Sequence, residues 1–449
     1  MAALSTAHRA ALTALVDQCP DAVLTRLVRV VPQMGGGERA GELMAILEEA
    51  MRNRRRRAVA FSPLLPLFQP REDGVEGLTF PRVLLGRLWS AGVQGQEAHL
   101  PLLDERDGSA DRVADRLCRA AAGALRDRPE QIWPTGLTPE TRERDLAELA
   151  GCLDLAPLAR QAARQLPDWL KAGGDDRTDL RLLLKDAAAV APDGATRLIE
   201  ILFAHLAEAP AILRIVTRSS AAAAREEFLE GSELADFVAR IVRAVRVRTE
   251  GAVFDPDGGE EAVAATVDGL RWAADALTQI DISLETDPAG DWSREIGVVR
   301  RGLTARLGVW MRDADRAVRA AAPRARVRLG GGRNSRQAPD FETPLDPAAA
   351  RRAVAHAAFL SALRGPAATF GCEGDRKSSL EAATSELSDW ADEAIHAVNA
   401  GDVPDEDAAL ARIAHVADVL AALEAADAAR TVRRRLAVAG AHQAEARSA

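Results

Sequence analysis

The stretch at 292–318, WSREIGVVRRGLTARLGVWMRDADRAV, decides the fold. Trp292, Ile296, Val299, Leu303, Leu307, Trp310, Ala314 and Val318 recur at steps of four and three residues. That rhythm repeats every 11 residues, or ~3.67 residues per turn, which suits a long and nearly straight α-helix. About 30 residues at ~1.5 Å each would span roughly 45 Å. Gly297, Gly302 and Gly308 lie inside the stretch. Each costs about 1 kcal/mol relative to alanine, and close approach of a neighbouring helix is the expected reason for them.

Toward the N-terminus the same periodicity continues in shorter pieces. Residues 3–31 read as two helices broken near Cys19-Pro20, the second with Leu24, Leu27, Val28 and Val31 on one face. Three glycines at 35–37 precede a helix at 38–52. They read as a turn, because neither a preceding strand nor a following Lys-Ser/Thr makes them a phosphate loop. Helices follow from Phe80-Pro81 and at 110–127. From 139 a regular series begins, carried by Leu146, Leu149 and Leu153, then by Leu155, Leu158, Ala162 and Leu166. Another helix covers 232–249. Short links between amphipathic helices imply antiparallel neighbours, as in a bundle or an α-solenoid. No fixed repeat emerges, so a solenoid would be irregular.

Beyond the long helix, residues 316–339 carry seven arginines and no acid, with Pro323 and the glycines at 330–332 marking a linker. A last group of helices begins near Leu345. Ser378-x-x-Glu381 reads as a capping box, Asn399-Ala400-Gly401 as a stop, and 402–435 as one final helix. The expected fold is all-α. An irregular multi-helical array, α-solenoid-like or a bundle, covers 1–322 with a possible sub-boundary near 135. An Arg/Gly/Pro-rich linker covers 323–345, and a smaller C-terminal helical bundle covers 346–449.

The stretch at 51–89, MRNRRRRAVAFSPLLPLFQPREDGVEGLTFPRVLLGRLW, departs furthest from this texture. Arg52 and Arg54, Arg55, Arg56 and Arg57 follow the 38–52 helix, where its dipole favours cations by roughly 0.3–1 kcal/mol each. Pro63, Pro66 and Pro70 then exclude a regular helix. Yet Phe61, Leu64, Leu65, Leu67 and Phe68 are apolar, and burying three of them is worth roughly 5–9 kcal/mol before entropy. The loop is therefore pinned to a hydrophobic surface. That surface is either the protein's own core or a partner's, and the second case makes Phe61, Leu64, Leu65 and Phe68 contact residues.

Composition narrows the classes. The 449 residues are 47% hydrophobic and 28% charged, a folded globular balance with room for a sizeable core. The formal net charge of −9 argues against a surface devoted to nucleic acid, although local basic patches survive it. Of 58 basic side chains only Lys171, Lys185 and Lys377 are lysine, and there is no tyrosine. This looks like the codon bias of a GC-rich bacterial genome, in which arginine is simply the default cation. Aromatics are 4%, too few to favour a base-stacking platform. Cys19, Cys118, Cys152 and Cys372 form no C-x-x-C pair and read as buried thiols of a reducing compartment. No signal peptide and no membrane-length apolar run are read; a cytoplasmic location is expected.

No catalytic signature stands out. Asp175, Asp176 and Asp179 spell D-D-x-x-D, which resembles the Mg²⁺-chelating motif of all-helical isoprenoid synthases, where carboxylates supply hard oxygen ligands. The resemblance covers five residues, and no second acidic motif of that family accompanies it. Residues 371–378, GCEGDRKS, lack the glycine before lysine that a phosphate loop needs. The histidines make no H-x-x-x-H set. No cofactor is expected. The leading expectation is a non-catalytic scaffold or adaptor holding another cytoplasmic protein, with contacts through Arg54, Arg55, Arg56, Arg57, Phe61, Leu64, Leu65, Phe68, Arg324, Arg326, Arg328, Arg333 and Arg336. The alternatives are a nucleic-acid-binding regulatory protein that uses the same arginines, and a helical enzyme with an acidic Mg²⁺ site.

Overall fold

The computed structural model describes residues 5–34, 38–105, 107–134, 136–171, 178–219, 225–328 and 335–448. The fold is all-α and multi-helical, with one two-stranded sheet among the described residues. The chain divides into two compact units. One comprises residues 1–224 with 232–234, the other 225–231 with 235–449.

The first unit contains α1 (Thr6–Gln18), α2 (Asp21–Val30), α3 (Glu38–Ala60), α4 (Leu84–Val93), α5 (Gly108–Asp127), α6 (Pro129–Ile132), α7 (Arg142–Asp154), α8 (Ala156–Leu170), α9 (Thr178–Val190), α10 (Gly194–His205) and α11 (Ile212–Ser219). Helix α5 is central. Val113, Ala114, Leu117, Cys118 and Ala121 are buried along it, and α3, α4, α7 and α8 pack on it. Because α5 packs directly on α7, no sub-boundary falls near 135. The glycines at 35–37 lie outside the described residues.

Helix α3 is longer than the sequence reading. It continues through the arginine run to Ala60 instead of ending near 52. Arginine is a good helix former, and Pro63 is the first residue that forces the chain out. The loop beyond α3 corrects the docking expectation. Phe61, Leu64, Leu67 and Phe68 are buried in the unit's own core, and Leu65 is half-buried. Phe80, at the loop's far end, meets Phe68 at 5.9 Å and Trp133 edge-on at 6.4 Å.

Polar anchors fix the same loop. From α8, Arg160 donates to Ala60 O at 3.0 Å, Val59 O at 3.2 Å and Ser62 Oγ at 2.8 Å. His205 Nε2 donates to Pro63 O at 2.8 Å. Arg71 and Asp73 form a buried ion pair at 2.5 Å, and the Asp73 carboxylate accepts from the amides of Ala209 at 2.7 Å and Val75 at 3.2 Å. Buried polar groups need such partners, and the bonds of Arg160, His205 and the Ala209 amide also tie the loop to other segments of the same unit.

The second unit contains α12 (Glu226–Glu230), α13 (Ala235–Gly251), α14 (Gly259–Ser283), α15 (Asp291–Ala320), β1 (Arg324–Arg328), β2 (Ser335–Pro339), α16 (Pro347–Ala362), α17 (Arg364–Thr369), α18 (Glu373–Ala400), α19 (Glu406–Ala422) and α20 (Ala426–Ser448). Helix α15 is the long helix expected, 30 residues with its apolar stripe buried. Met311 takes the buried place foreseen for Trp310, which is half-buried and meets Phe359 edge-on at 5.7 Å. Its glycines are not close-approach points. A Cβ on Gly302 would have nothing within 4 Å, and on Gly297 or Gly308 it would meet only an arginine side chain of α15 itself.

The expected linker at 323–345 is not where the chain separates. β1 and β2 form an antiparallel hairpin, registered from Arg324 opposite Pro339 to Arg328 opposite Ser335. Trp390 Nε1 donates to Pro323 O at 2.8 Å, Arg324 pairs with Glu393 at 3.0 Å, and Arg412 donates to Thr343 O. These bonds hold the segment against α18 and α19. The helices after it pack on α14 and α15, so 346–449 is not a unit of its own. Two local readings also change. Ser378 lies inside α18, which begins at Glu373 with an Arg376–Glu373 ion pair at 2.6 Å. The final helix is two, parted at Glu424, whose φ is +61°. Gly401 ends α18 as expected, with φ at +73°.

Candidate functional site

The arginine run lies on α3, where residues three or four apart share a face. The fold gives each arginine a different task. Arg52 pairs with Glu49 at 2.7 Å, and Arg56 with Asp104 at 2.6 Å. The hydrogen bond from Arg56 holds the Asp104 carboxyl below its usual range. Arg54 donates to Val16 O at 2.9 Å and Cys19 O at 2.6 Å, so it satisfies carbonyls at the end of α1. Arg55 is exposed.

Arg54 and Arg57, one turn apart, also form one wall of a cleft of about 500 Å³. A second wall is α4, with Arg87, Trp89, Ser90 and Gln94. The end of α5 and α6 supply a third, with Arg128 and Gln131. Ala50, Ala91 and Ala124 line it with small side chains, which leaves the space open. No aspartate or glutamate lines it. Four arginines thus line one concavity in an otherwise acidic chain, with the Arg54 guanidinium turned to the carbonyls of Val16 and Cys19.

Local sequence positions each wall. Gly92 lets α4 press onto α5, since a Cβ there would stand 2.8 Å from Leu117 O. Leu84, Leu85 and Leu88 bury the inner face of α4 and leave Arg87 exposed. Arg128 sits before Pro129, leaves helical geometry (φ −141°, ψ 59°) and ends α5 at the cleft.

Of the residues expected to contact a partner, the structure brings only Arg54 and Arg57 to this cleft. Phe61, Leu64 and Phe68 are withdrawn by burial, and Leu65 is half-buried in the same loop. In the hairpin, strand alternation places Arg324 and Arg326 on one face, and the side chain of Arg328 lies outside the described residues. Arg336, opposite Val327, falls on the other, so the arginines do not form one basic surface. Arg324 is paired with Glu393, and Arg326 and Arg336 are exposed. Arg333 lies outside the described residues, as do Asp175 and Asp176 of the D-D-x-x-D motif. The sequence reading missed Arg87, Arg128, Trp89, Gln94 and Gln131, and no spacing in the chain foretells that α4 and α6 line one cleft with α3.

Other titratable groups serve the fold. Burial pushes the Cys118 thiol up to about 12, and raises that of Cys152 too. Burial lowers the pKa values of His205, His356 and His415. Among the described residues no group of three or more His, Cys, Asp or Glu is arranged to hold a metal ion, and no helix is long and apolar enough to cross a membrane. No family model, curated protein or solved structure matches this chain.

Proposed function

We propose that this protein is a non-catalytic helical scaffold or adaptor of the bacterial cytoplasm, which holds another protein by an anionic group seated in the arginine cleft. One observation carries the reading: four arginines line a single concavity that contains no carboxylate. The exposed Arg87 and Arg128 are like charges on two of its walls, and an anion that enters meets both. The alanines of the cleft and the amides of Asn53, Gln94 and Gln131 leave space and hydrogen bonds for more than a bare ion. The core-forming loop at 61–80 serves as the frame that fixes α3 and so fixes the cleft.

The test is capture from the protein's own cell extract at about 0.15 M salt, with and without nuclease, using the full chain and its Arg87→Gln/Arg128→Gln variant. A stoichiometric protein retained after nuclease by the parent, and released by the variant, is the expected outcome. Nucleic acid recovered by the parent, and lost with its companions after nuclease, would replace the adaptor reading with the nucleic-acid one. Equal capture by both chains would remove the cleft from the contact.

A further inference from the structure

We propose that the exposed face of α15 is an interface between two copies of this chain, in which the helix packs antiparallel on its twin about a two-fold axis near its midpoint. The arginine cleft plays no part in it. Gly302 is exposed in the middle of this 30-residue helix, and a Cβ there would have nothing within 4 Å. Glycine weakens a helix interior, and no neighbour among the described residues accounts for it. Val298, one turn before, is 62% exposed, and Val309, two turns after, is 46% exposed. Ala305 stands exposed between them. Exposed apolar side chains beside a bare stretch of backbone suit the close approach of another helix.

This face is complementary to itself under a two-fold axis, as an interface between identical surfaces must be. Positions 291, 295, 298, 302, 305, 309, 312 and 316 follow at steps of four and three, the seven-residue spacing of a helix seam. In the antiparallel pair Asp291 meets Arg316, Glu295 meets Arg312, Val298 meets Val309 and Gly302 meets Ala305. Acid thus meets base at both ends, and the smallest side chains meet where the two backbones come closest. A parallel pair would set Arg312 on Arg312 and Glu295 on Glu295, so charge fixes the direction. Asp291, Glu295 and Arg316 also pair with Arg294, Arg246 and Asp313 of their own chain, at the surface where such pairs hold weakly and are readily shared. Shape agrees with charge. Between α13 and α15 lies a groove of about 370 Å³, lined by Val298, Val299, Gly302 and Leu303 on one side and Thr249 on the other. Val309 of the second copy stands level with Val298 and enters it, as a knob enters a hole.

Sedimentation of the full chain over about 1–100 µM should show a reversible equilibrium between one copy and two, as suits an interface at the small end of the specific range. Gly302→Gln should weaken the dimer at least ~10-fold by blocking the close approach, yet melt no lower than the parent at the dilute end, because glutamine is the better helix former. Arg312→Glu should weaken it likewise by setting acid on acid. Glu295→Arg/Arg312→Glu should restore it, since acid then meets base again. Cysteines read the direction. A mixture of Val298→Cys and Val309→Cys chains should form a disulfide between copies that neither variant forms alone, because like positions lie roughly 16 Å apart along the axis and out of disulfide reach. A chain that stays a single copy up to about 100 µM would overturn the proposal. So would a dimer untouched by both Gly302→Gln and Arg312→Glu. Cross-links within each cysteine variant alone, with none gained in the mixture, would overturn it too, because they require a parallel pair.

Discussion

The carboxylate of Glu226 stands where a side chain on Gly290 would begin. Glu226 is 1% exposed and accepts from the amides of Asp287 at 2.8 Å, Trp292 at 3.0 Å and Ser293 at 3.4 Å. Trp292 and Ser293 open α15, where amides lack helical partners and the dipole favours a negative group. Gly290 occupies the capping position and offers no side chain. The cap is delivered instead by α12. Glu226→Ala should therefore cost about 2–3 kcal/mol by leaving buried amides unpaired. Gly290→Ala should cost a similar amount, because its methyl displaces the same carboxylate. As both break one contact, the double variant should lose less than the sum of the two. Thermal unfolding of the four chains decides it, and additive losses would refute a shared contact.

Arg160 should matter far more than its neighbour Arg164. The Arg160 side chain is 7% exposed and closes α3 through Val59 O, Ala60 O and Ser62 Oγ, with Asp115 beside it at 3.4 Å. Burial raises the pKa of Asp115 despite the attraction of Arg160, so its charge depends on that partner. Arg160→Met leaves carbonyls and a carboxylate unpaired in the interior, at a cost of about 3–5 kcal/mol. Arg164 pairs with Asp111 at 2.7 Å but is 63% exposed, and Arg164→Met should cost less than about 1 kcal/mol. Urea unfolding of both variants is the check. Similar losses would mean that the loop is not held from α8.

The all-α character was legible in the sequence because helical periodicity is local. The stripe from Trp292 to Val318 needs only its own helix to be read, and it was right at every position but Trp310. The stop at Gly401 is legible for the same reason, since only the left-handed tolerance of glycine is involved. What failed was long-range. The loop at 61–80 is polar-anchored by Arg160 and His205, about 100 or more residues downstream, and nothing near the loop announces them. The arginine- and proline-rich composition of 323–345 suggested a tether, but Trp390 and Glu393 tie it down. The cleft was half legible: Arg54 and Arg57 sit in a visible run, whereas Arg87 and Arg128 are ordinary until the fold brings three helix ends together.

Gly92→Ala tests that assembly directly. The added methyl would sit 2.8 Å from Leu117 O on α5, a backbone atom that cannot swing aside. Overpacking of this kind typically costs about 1–3 kcal/mol. It should also shift α4, and with it Arg87 and Trp89, so affinity in the cleft should fall even below the unfolding temperature. Gly86→Ala, whose Cβ would stand 3.7 Å from Arg57 Nη1, is an ordinary contact on the cleft wall of α4. It should leave stability unchanged or slightly higher, as alanine favours helices by about 1 kcal/mol. Melting curves for the pair separate the two roles; matched losses of stability would contradict the close approach at Gly92.

Stability should decline in mild acid before the carboxylates titrate. Burial lowers the folded-state pKa values of His205, His356 and His415. His356 lies edge-on to Phe254 at 4.9 Å, with Asp313 and Arg352 the charges that act on it. Above about pH 6.5 these rings are neutral in both states and contribute no pH dependence. As pH falls below that value the unfolded chain takes up protons that the folded chain refuses, so unfolding becomes easier. The carboxylates held low by partners, such as Asp104, Asp340 and Glu373, lose their contribution only nearer pH ~4. His356→Phe should keep the aromatic packing and reduce the drop in melting temperature between pH 7 and 5.5. An unchanged slope would show that His356 titrates normally in the folded state.

The charges of the cleft should make no positive contribution to folding. Arg87 and Arg128 are exposed and line a cavity with two further arginines and no acid. Replacing both by glutamine removes like-charge repulsion, so stability should stay level or rise by up to about 1 kcal/mol at low salt, and the gain should shrink as salt screens the charges. Arg56→Gln, which removes from α3 the partner of Asp104, should have the opposite sign. Added inorganic phosphate at constant ionic strength should raise the melting temperature of the parent chain, because a ligand of the folded state alone stabilises it. It should do nothing for the double variant. A phosphate effect that survives in the variant would place the anion elsewhere, and a marked destabilisation by Arg87→Gln/Arg128→Gln would show that these arginines are held by the fold and not kept for a ligand.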